Sequence, residues 1–229
     1  MEKKVKTVLS NNDQQPRARR RYEAPNRRAA ADQTRRQIVE AARRLFLERG
    51  YVATSMAAIA AAAGVSHETV YAAFGPKPAL FRYLIEIALS GTDAPVPALE
   101  RASTRDMQAE PDPSRRLEMF ARVIRLIQER LAPLFDVLRE GARADPDLKA
   151  CLDELSDRHF GHMRAFAANL AAVGGLRDGL SIEMAGDVIW IMTSVEFFLL
   201  CIRDRGWTAD FFEQWLADAL KRLLMLRKV

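Results

Sequence analysis

Apolar residues recur at intervals of three and four along most of this 229-residue chain, and no long strand-like alternation occurs. Such spacing places side chains on one face of a helix. The clearest stripe lies within residues 34–48, where Thr34 and Gln37 form a capping-box pair and Gly50 provides the stop. The stripe consists of Ile38, Ala41, Ala42, Leu45 and Phe46. We therefore predict an all-α fold of about nine helices.

Cap and stop residues divide the rest of the chain. Residues 91–113 contain four prolines and read as a loop. Asp112-Pro113 and Asp145-Pro146 each combine a cap with a proline in the first helical position. The further predicted helices span residues 54–62, 66–74, 77–90, 113–131, 134–143, 146–172, 181–204 and 208–227.

Positive charge is concentrated at the N-terminus. Residues 1–31 contain nine cations and three anions, whereas the whole chain carries a net charge of +5. A basic end on an otherwise balanced protein favours a polyanionic partner, either nucleic acid or an anionic membrane. We expect residues 1–31 to be a disordered arm, and the alternative to a binding role is a solvated tail.

Several classes of protein are not expected. Two cysteines do not make a disulfide framework, and the charged start lacks the apolar region of a secretory signal, so we expect a cytoplasmic protein. The apolar stretch 188–202 carries Glu196 and is too short to span a bilayer. His159 and His162 lack the further ligands of a metal site. No catalytic motif is present, so we expect no enzyme and no cofactor.

Residues 50–81 read as two short helices joined by a tight turn. Gly64 supplies the positive φ that a sharp turn needs. Ala60 is small enough for the second helix to cross closely. This is the pattern of a helix-turn-helix, whose second helix enters the DNA major groove. Its inner face would consist of Ile59, Ala60, Ala63, Val65, Val70 and Phe74.

Residues 32–90 resemble the DNA-binding domain of the tetracycline-repressor (TetR) family. A weaker resemblance to the last helix of some members lies in Arg205–Thr208 and Trp215–Asp218. The main resemblance is carried by Gly50-Tyr51, Thr54-Ser55, Ile59-Ala60, Ala63-Gly64-Val65-Ser66, Val70-Tyr71, Phe74, Lys77 and Leu80.

The resemblance implies a homodimeric transcription regulator. It implies a reading head in residues 32–90 and a larger helical domain in residues 91–229 that binds a small molecule and dimerises. The helix at 77–90 would transmit ligand binding to the head. Family members are usually repressors released from their operators by a ligand, and an activator of the same fold is the alternative. A helical enzyme and a protein whose basic arm adsorbs to membranes are the remaining alternatives.

The first turn of the predicted recognition helix contains Ser66, His67, Glu68 and Thr69. We expect His67 to contact a base or a phosphate and Thr69 to pack on a thymine methyl. Glu68 has two interpretations, since it could accept from a cytosine amino group or simply favour the helix dipole. Ser66 is expected chiefly as a helix cap that also meets a phosphate.

Four further positions are predicted to contact the phosphate backbone. Tyr71 and Lys77 match family positions with that role. Thr54 and Ser55 lie at a predicted helix start, where free N–H groups favour a phosphate.

The predicted recognition helix is short of cations. Residues 66–74 contain no Arg or Lys, and Ala73 stands where the family often has a histidine. We therefore predict that the basic arm, including Arg27 and Arg28, adds phosphate or minor-groove contacts.

The helix at 181–204 has a mixed aromatic and polar face. Trp190, Thr193 and Phe197 share that face, and Glu196 lies among apolar neighbours. Ligand pockets are mostly apolar with a few polar groups. We therefore predict an effector pocket here, although core packing explains the same pattern. The other predicted lining residues are Met119, Phe120, Val123, Met163 and Phe166.

The last two predicted helices have wide apolar surfaces. A helix that is apolar on all sides must be covered on all sides. We expect these helices to form a homodimer interface, the alternative being a core within one subunit. Pairing would set the two recognition helices about 34 Å apart, so the DNA partner would be a near-palindromic operator. The predicted interface residues are Phe198, Ile202, Phe212, Trp215, Leu216, Leu220 and Leu223.

Overall fold

The computed structural model describes residues 17–225, with side chains from residue 27 onward. Within this range the protein is entirely helical, and the predicted all-α class is confirmed. A short 3₁₀ turn at Ala98–Glu100 and a π-helical turn at Leu200–Asp204 accompany ten α-helices. These are α1 (Arg17–Ala53), α2 (Met56–Ala63), α3 (His67–Phe74), α4 (Lys77–Ser90), α5 (Ala102–Ala109), α6 (Pro113–Gly141), α7 (Pro146–Ala172), α8 (Ile182–Met192), α9 (Val195–Leu199) and α10 (Ala209–Leu224).

Helices α1 to α4 form the N-terminal head. Gly64 has φ 69° and ψ 30°, and its N–H is donated to the carbonyls of Ala60 and Ala61. This left-handed cap turns the chain sharply, and Ser66 then caps α3 by accepting from the Thr69 N–H. Val70 lies fully buried on the inner side of α3. The helix-turn-helix predicted from the sequence is therefore present.

Helices α6, α7, α8 and α10 form most of the C-terminal body. Helix α6 packs against α1, α4, α7 and α10, while α8 packs along α7. One continuous cluster of buried apolar side chains extends from Ile38 in the head to Leu224 in α10. The head is thus packed directly onto the body, and the domain boundary at residue 90 remains a prediction.

The first helix begins earlier than the sequence predicted. Helix α1 starts at Arg17 rather than near Thr34, so the predicted disorder is wrong for residues 17–31. Residues 1–16 lie outside the described residues. Arginine and alanine are both strong helix formers, and the prediction treated charge density alone as a sign of disorder. Arg27 and Arg28 accordingly lie exposed on α1.

Three further helix boundaries differ from the predictions. Helix α6 continues through Pro133, which lies on the exposed side of the helix, so the predicted break there is wrong. The predicted loop at 91–113 contains the short helix α5. The predicted single helix at 181–204 is interrupted, because Thr193 ends α8 and Ser194 caps α9.

No single helix between residues 17 and 225 is long and apolar enough to cross a membrane. The pair Ile182–Met192 and Val195–Asp204 reaches the necessary length and composition only across a bend of 42°.

Candidate DNA-binding surface and effector cavity

The outer side of α3 is exposed along its length. Ser66, His67 and Glu68 are exposed at its N-terminal end, and Tyr71 is 56% exposed one turn later. Thr69 is half-buried, and its hydroxyl lies 3.1 Å from that of Ser66. The structure therefore brings these five predicted DNA-contact residues together on one surface, while their function in DNA binding remains a prediction.

Glu68 already has local partners. Its own N–H and the Ser66 hydroxyl hydrogen-bond to the carboxylate and lower the pKa of Glu68 from its ordinary value, with a smaller effect from the charge of His67. A carboxylate in the first turn also favours the helix dipole. The capping interpretation of Glu68 thus has a structural basis.

Thr54 does not lie at the surface. Its side chain is 1% exposed, and its hydroxyl donates to the carbonyl of Gly50 at 2.8 Å and lies 3.1 Å from that of Leu45. Its N–H is not free either, because it donates to the Tyr51 carbonyl at 3.3 Å, so the predicted phosphate contact of Thr54 is wrong. Ser55, rather than Thr54, caps α2 by accepting from the Ala58 N–H, and it is exposed.

Lys77 is largely engaged within the head. Its ammonium donates to the carbonyls of Tyr51 and Thr54, each at 3.0 Å, and lies 4.1 Å from the centre of the Tyr51 ring. Burial lowers the pKa of Lys77, and the charge of Asp145 opposes that shift. An ammonium has three donors, so only one is left for a phosphate.

Tyr51 connects the head to the body. Its ring stacks on Phe46 and meets Phe81 edge-on, while its hydroxyl donates to Asp145 at 3.0 Å. Burial and this hydrogen bond raise the pKa of Tyr51. Asp145 also caps α7 by accepting from the N–H groups of Asp147 and Leu148. The end of α1 is thereby fixed to the corner between α6 and α7.

Arg35 supports α3 from behind, a role that sequence reasoning missed. The guanidinium donates to the carbonyl of Ala73 at 2.7 Å and lies 4.1 Å from the centre of the Phe74 ring. It thus caps the C-terminal end of α3. The available signal was an arginine within one turn of the buried stripe of α1.

The body contains a cavity of about 990 Å³. Its walls come from α4, the segment 95–101, α6, α7 and the junction between α8 and α9. A volume of this size suits a small organic ligand.

The cavity only partly matches the predicted pocket. Met163, Trp190, Thr193 and Glu196 line it. The hydroxyl of Thr193 is buried and donates to the Ile189 carbonyl at 2.7 Å, so it is already satisfied. The remaining five predicted residues do not line this cavity, and all of them except Val123 belong to the packed apolar cluster or lie against it. These residues are Met119, Phe120, Val123, Phe166 and Phe197.

Phe120 and Phe166 illustrate why the prediction failed for those residues. Their rings stack with centroids 4.0 Å apart and an interplanar angle of 12°, and both side chains are buried. Phe197 instead packs its ring against Trp215 and Phe212. Aromatic residues at helical spacing serve the core here.

Gln128 was not predicted as a pocket residue, although it lines the cavity and is only 3% exposed. Its Nε2 donates to the Thr193 carbonyl at 2.7 Å. This carbonyl is available because the helix is interrupted between α8 and α9. The available signal was a polar residue in the buried stripe that contains Ile124 and Leu131.

Helix α4 joins the cavity to the head. Glu86 and Leu89 line the cavity near its C-terminal end, whereas Lys77 binds the head carbonyls at its N-terminal end. Arg82 forms an ion pair with Glu154 of α7, which ties the middle of α4 to the body.

The N-terminal head is similar to a known family of proteins. Residues 38–84 match the family model described as bacterial regulatory proteins, tetR family. The resemblance to the TetR family is confirmed. A search of curated proteins finds no match.

Three solved structures extend the likeness in fold beyond the residues that the family model matches. The TetR family transcriptional regulator PfmR from Thermus thermophilus is 25% identical, with 82% of this chain and 99% of that chain covered and a TM-score of 0.57. NalD from Pseudomonas aeruginosa, the secondary repressor of the MexAB-OprM multidrug efflux pump, is 22% identical, with 87% and 100% covered and a TM-score of 0.66. FadR from Bacillus subtilis in complex with stearoyl-CoA is 18% identical, with 80% and 96% covered and a TM-score of 0.63.

The predicted dimer residues divide into two groups. Phe198, Phe212, Leu216 and Leu220 are at most 4% exposed within one subunit, so their prediction as interface residues is wrong. They fill the core between α10 and the rest of the body. The other three are accessible: Ile202 and Trp215 are half-buried, and Leu223 is 46% exposed.

The described residues contain no group of three or more His, Cys, Asp and Glu side chains arranged to hold a metal ion. Cys151 and Cys201 are both free and buried. Burial raises the pKa of both thiols, which disfavours their reactive thiolate forms.

Proposed function

We propose that this TetR-family protein is a homodimeric transcription regulator that binds a near-palindromic operator and leaves it when a small molecule fills the body cavity. The observation that carries the proposal is the outward, exposed face of α3 on a head whose fourth helix also forms a wall of that cavity. We propose that DNA binding represses transcription, and activation of transcription by the same fold is the alternative.

The chemistry of the α3 surface supports DNA contact. His67 and Tyr71 are exposed hydrogen-bonding groups on a helix held from behind by the buried Val70. Exposed groups at the N-terminal end of a recognition helix reach base edges, and later positions reach phosphates. Ser55 at the start of α2 adds a phosphate contact to the proposal, and Arg27 and Arg28 on α1 add cations.

A homodimer supplies two such surfaces. Six apolar side chains of α8, α10 and the π-helical turn are at least 38% exposed in the single subunit. Exposed apolar patches mark protein–protein interfaces. The proposed interface residues are Ile182, Met184, Ile191, Leu200, Phe211 and Leu223.

Sedimentation velocity tests the dimer. We expect Ile191→Glu and Leu200→Glu to shift the parent dimer toward monomer, because each places a charge in an apolar interface. Leu99→Glu is the matched control, since Leu99 is 69% exposed in the 3₁₀ turn at Ala98–Glu100 and is not one of the proposed interface residues, so its replacement should leave the dimer intact. A monomeric parent chain would refute the homodimer.

The contacts of α4 support the proposal that a ligand in the cavity changes the position of the head. A ligand shifts an equilibrium only when it binds one of two states more tightly. Glu86 and Leu89 contact the cavity and Lys77 fixes the end of α1, so a shift of α4 changes the position of the head. Arg130 also donates to the Ala88 carbonyl at 2.8 Å, which couples α6 to the same helix.

Selection of bound fragments from the source genome, followed by fluorescence anisotropy on the recovered duplex, tests the whole function. We expect a two-fold related sequence to be recovered and bound. Expression of a reporter behind that operator should rise when the regulator gene is deleted if the protein is a repressor, and fall if it is an activator. Recovery of random fragments only would refute specific DNA recognition.

A further inference from the structure

Gln128, a residue of the cavity lining, carries a buried acceptor that has no hydrogen-bond partner. Among the described residues, Gln128 Oε1 is the one buried side-chain nitrogen or oxygen in that condition. Buried polar groups are nearly always satisfied, because an unmade hydrogen bond is expensive. Because Gln128 belongs to the cavity lining, we take a molecule bound in the cavity as the source of that donor.

The orientation of this amide is fixed by its other end. Gln128 Nε2 donates to the Thr193 carbonyl at 2.7 Å. Exchanging the oxygen and nitrogen would place two acceptors against each other, so the oxygen remains the free atom. The nearby Thr193 hydroxyl does not compete, since it donates to the Ile189 carbonyl. The missing partner is therefore a donor such as a hydroxyl.

Arg101 gives a different part of the lining a positive charge. It is half-buried, its Nε donates to the Val96 carbonyl at 3.0 Å, and it forms no ion pair with the described residues. The adjacent carboxylate of Glu86 is bound by Arg158 at 2.7 Å. A half-buried guanidinium without a carboxylate is a favourable place for an anion.

The other acidic residues of the lining do not neutralise Arg101. Asp153 is exposed and binds Lys149 of its own helix at 2.5 Å. Glu196 is exposed at the start of α9. The apolar part of the lining includes Ile124, Ile127, Leu131, Phe135, Leu152 and Trp190.

We propose that the effector is an amphiphilic hydroxy acid: a long apolar body with a carboxylate bound by Arg101 and a hydroxyl that donates to Gln128 Oε1. The apolar body fills the space between the two polar groups and removes its own surface from water. This assignment rests on the proposed function, because it names the ligand class of the same cavity.

Binding of three flexible probes to the full chain, measured by titration calorimetry without DNA, tests the assignment. The probes are ω-hydroxydodecanoate, dodecanoate and the α,ω-dodecanediol. They share one alkyl chain and differ in the two polar groups. We expect ω-hydroxydodecanoate to bind about fivefold more tightly than dodecanoate, which lacks the donor. We expect it to bind about tenfold more tightly than the diol, which lacks the carboxylate.

Two variants assign the preferences to residues. Gln128→Leu should abolish the preference for ω-hydroxydodecanoate over dodecanoate, and Arg101→Gln should abolish the preference over the diol. Gln214→Leu and Arg122→Gln are matched controls, because both parent residues are exposed and lie outside the lining. If Gln128→Leu does not fold, the ligand class is tested by the affinities of the parent chain for the three probes and by the result for Arg101→Gln.

Equal affinities for the three probes, or no binding of ω-hydroxydodecanoate, would overturn the assignment. Failure of the proposed function has a different signature. A chain that ranks the probes as expected but binds no duplex DNA refutes the regulator and retains the ligand class. A chain that leaves its operator for another molecule but ignores these probes refutes the ligand class alone.

Discussion

Thr54 shows how a hydroxyl beside a helix start can serve the fold instead of a nucleic acid. Thr54 and Ser55 are adjacent and chemically alike, yet Thr54 is buried against the carbonyls of Leu45 and Gly50 while Ser55 is exposed as the cap of α2. At the scale of single residues, burial decides which of two similar groups is available to DNA.

Replacing Thr54 by valine keeps the shape and removes the hydroxyl. We expect Thr54→Val to lower the free energy of unfolding by about 1–3 kcal/mol, because buried carbonyls lose a donor. Chemical denaturation measures this effect. Operator affinity of the folded variant should stay near that of the parent. If the variant has parental stability and loses operator affinity, the Thr54 hydroxyl contacts DNA and the structural role is refuted.

His159 predicts, also at the scale of single residues, how the stability of the fold depends on pH. Its Nε2 lies 3.2 Å from the Thr193 hydroxyl, and burial lowers the pKa of His159, with a smaller contribution from His162. The unfolded chain therefore binds a proton below about pH 6.5 before the folded chain does. Since stability rises with pH where the unfolded state holds more protons, acidification should destabilise the fold.

Denaturation between pH 7.5 and pH 5 measures that dependence, and His159→Asn is the test variant. We expect the variant to lose less stability on acidification than the parent, since one group that binds a proton on unfolding has been removed. An unchanged pH dependence would mean that the pKa of His159 is the same in the folded and the unfolded protein.

At the scale of elements, we predict opposite effects on stability for substitutions at two helical glycines, Gly141 and Gly161. A Cβ on Gly141 would lie 2.5 Å from Leu148 Cδ2 and 3.1 Å from Tyr51 Cβ, whereas one on Gly161 would meet nothing within 4 Å. Gly141 thus allows the close approach of α1, α6 and α7. Gly161 only weakens α7.

We expect Gly141→Ala to destabilise the protein by about 1–3 kcal/mol through overpacking. Gly161→Ala should stabilise it by about 0.5–1 kcal/mol through helix propensity. Thermal unfolding of the pair measures both effects. Equal effects of the two substitutions would contradict the close packing of the head on the body.

Sequence reasoning found most elements because caps, glycines and apolar stripes are local signals. Gly64 and Ser66 fix the turn before α3 whatever surrounds them. The early start of α1 was missed although helix propensity is itself a local signal. The errors at Pro133 and Thr193 concern non-local packing. Pro133 is tolerated because it faces outward, and the interruption at Thr193 is stabilised by Gln128 from another helix. The candidate recognition surface was therefore largely predictable, whereas the cavity was only partly so.

At the scale of the whole molecule, positive charge lies toward the N-terminal end of a chain whose net charge is +5. Arg27 and Arg28 are exposed near the start of the described side chains of α1. DNA affinity gained from phosphate contacts falls with salt in proportion to their number.

Replacing Arg27 and Arg28 by glutamine should flatten the slope of log K against log salt by about 0.9 for each phosphate that is no longer neutralised. Arg105→Gln with Arg122→Gln makes the same change of charge at exposed positions of the body and is the matched control. Fluorescence anisotropy over a salt series measures both slopes. Equal slopes for parent and test variant would show that neither arginine neutralises a phosphate.

Anisotropy of the genome-selected duplex with the doubly substituted chain His67→Ala, Tyr71→Ala tests the central claim most directly. We predict that this chain loses at least about tenfold in affinity and keeps parental unfolding behaviour, because both side chains are exposed. Phe160→Ala, at an exposed aromatic of the body, should bind as the parent does. Parental affinity of the doubly substituted chain, or no binding of duplex DNA by the parent, would contradict the account.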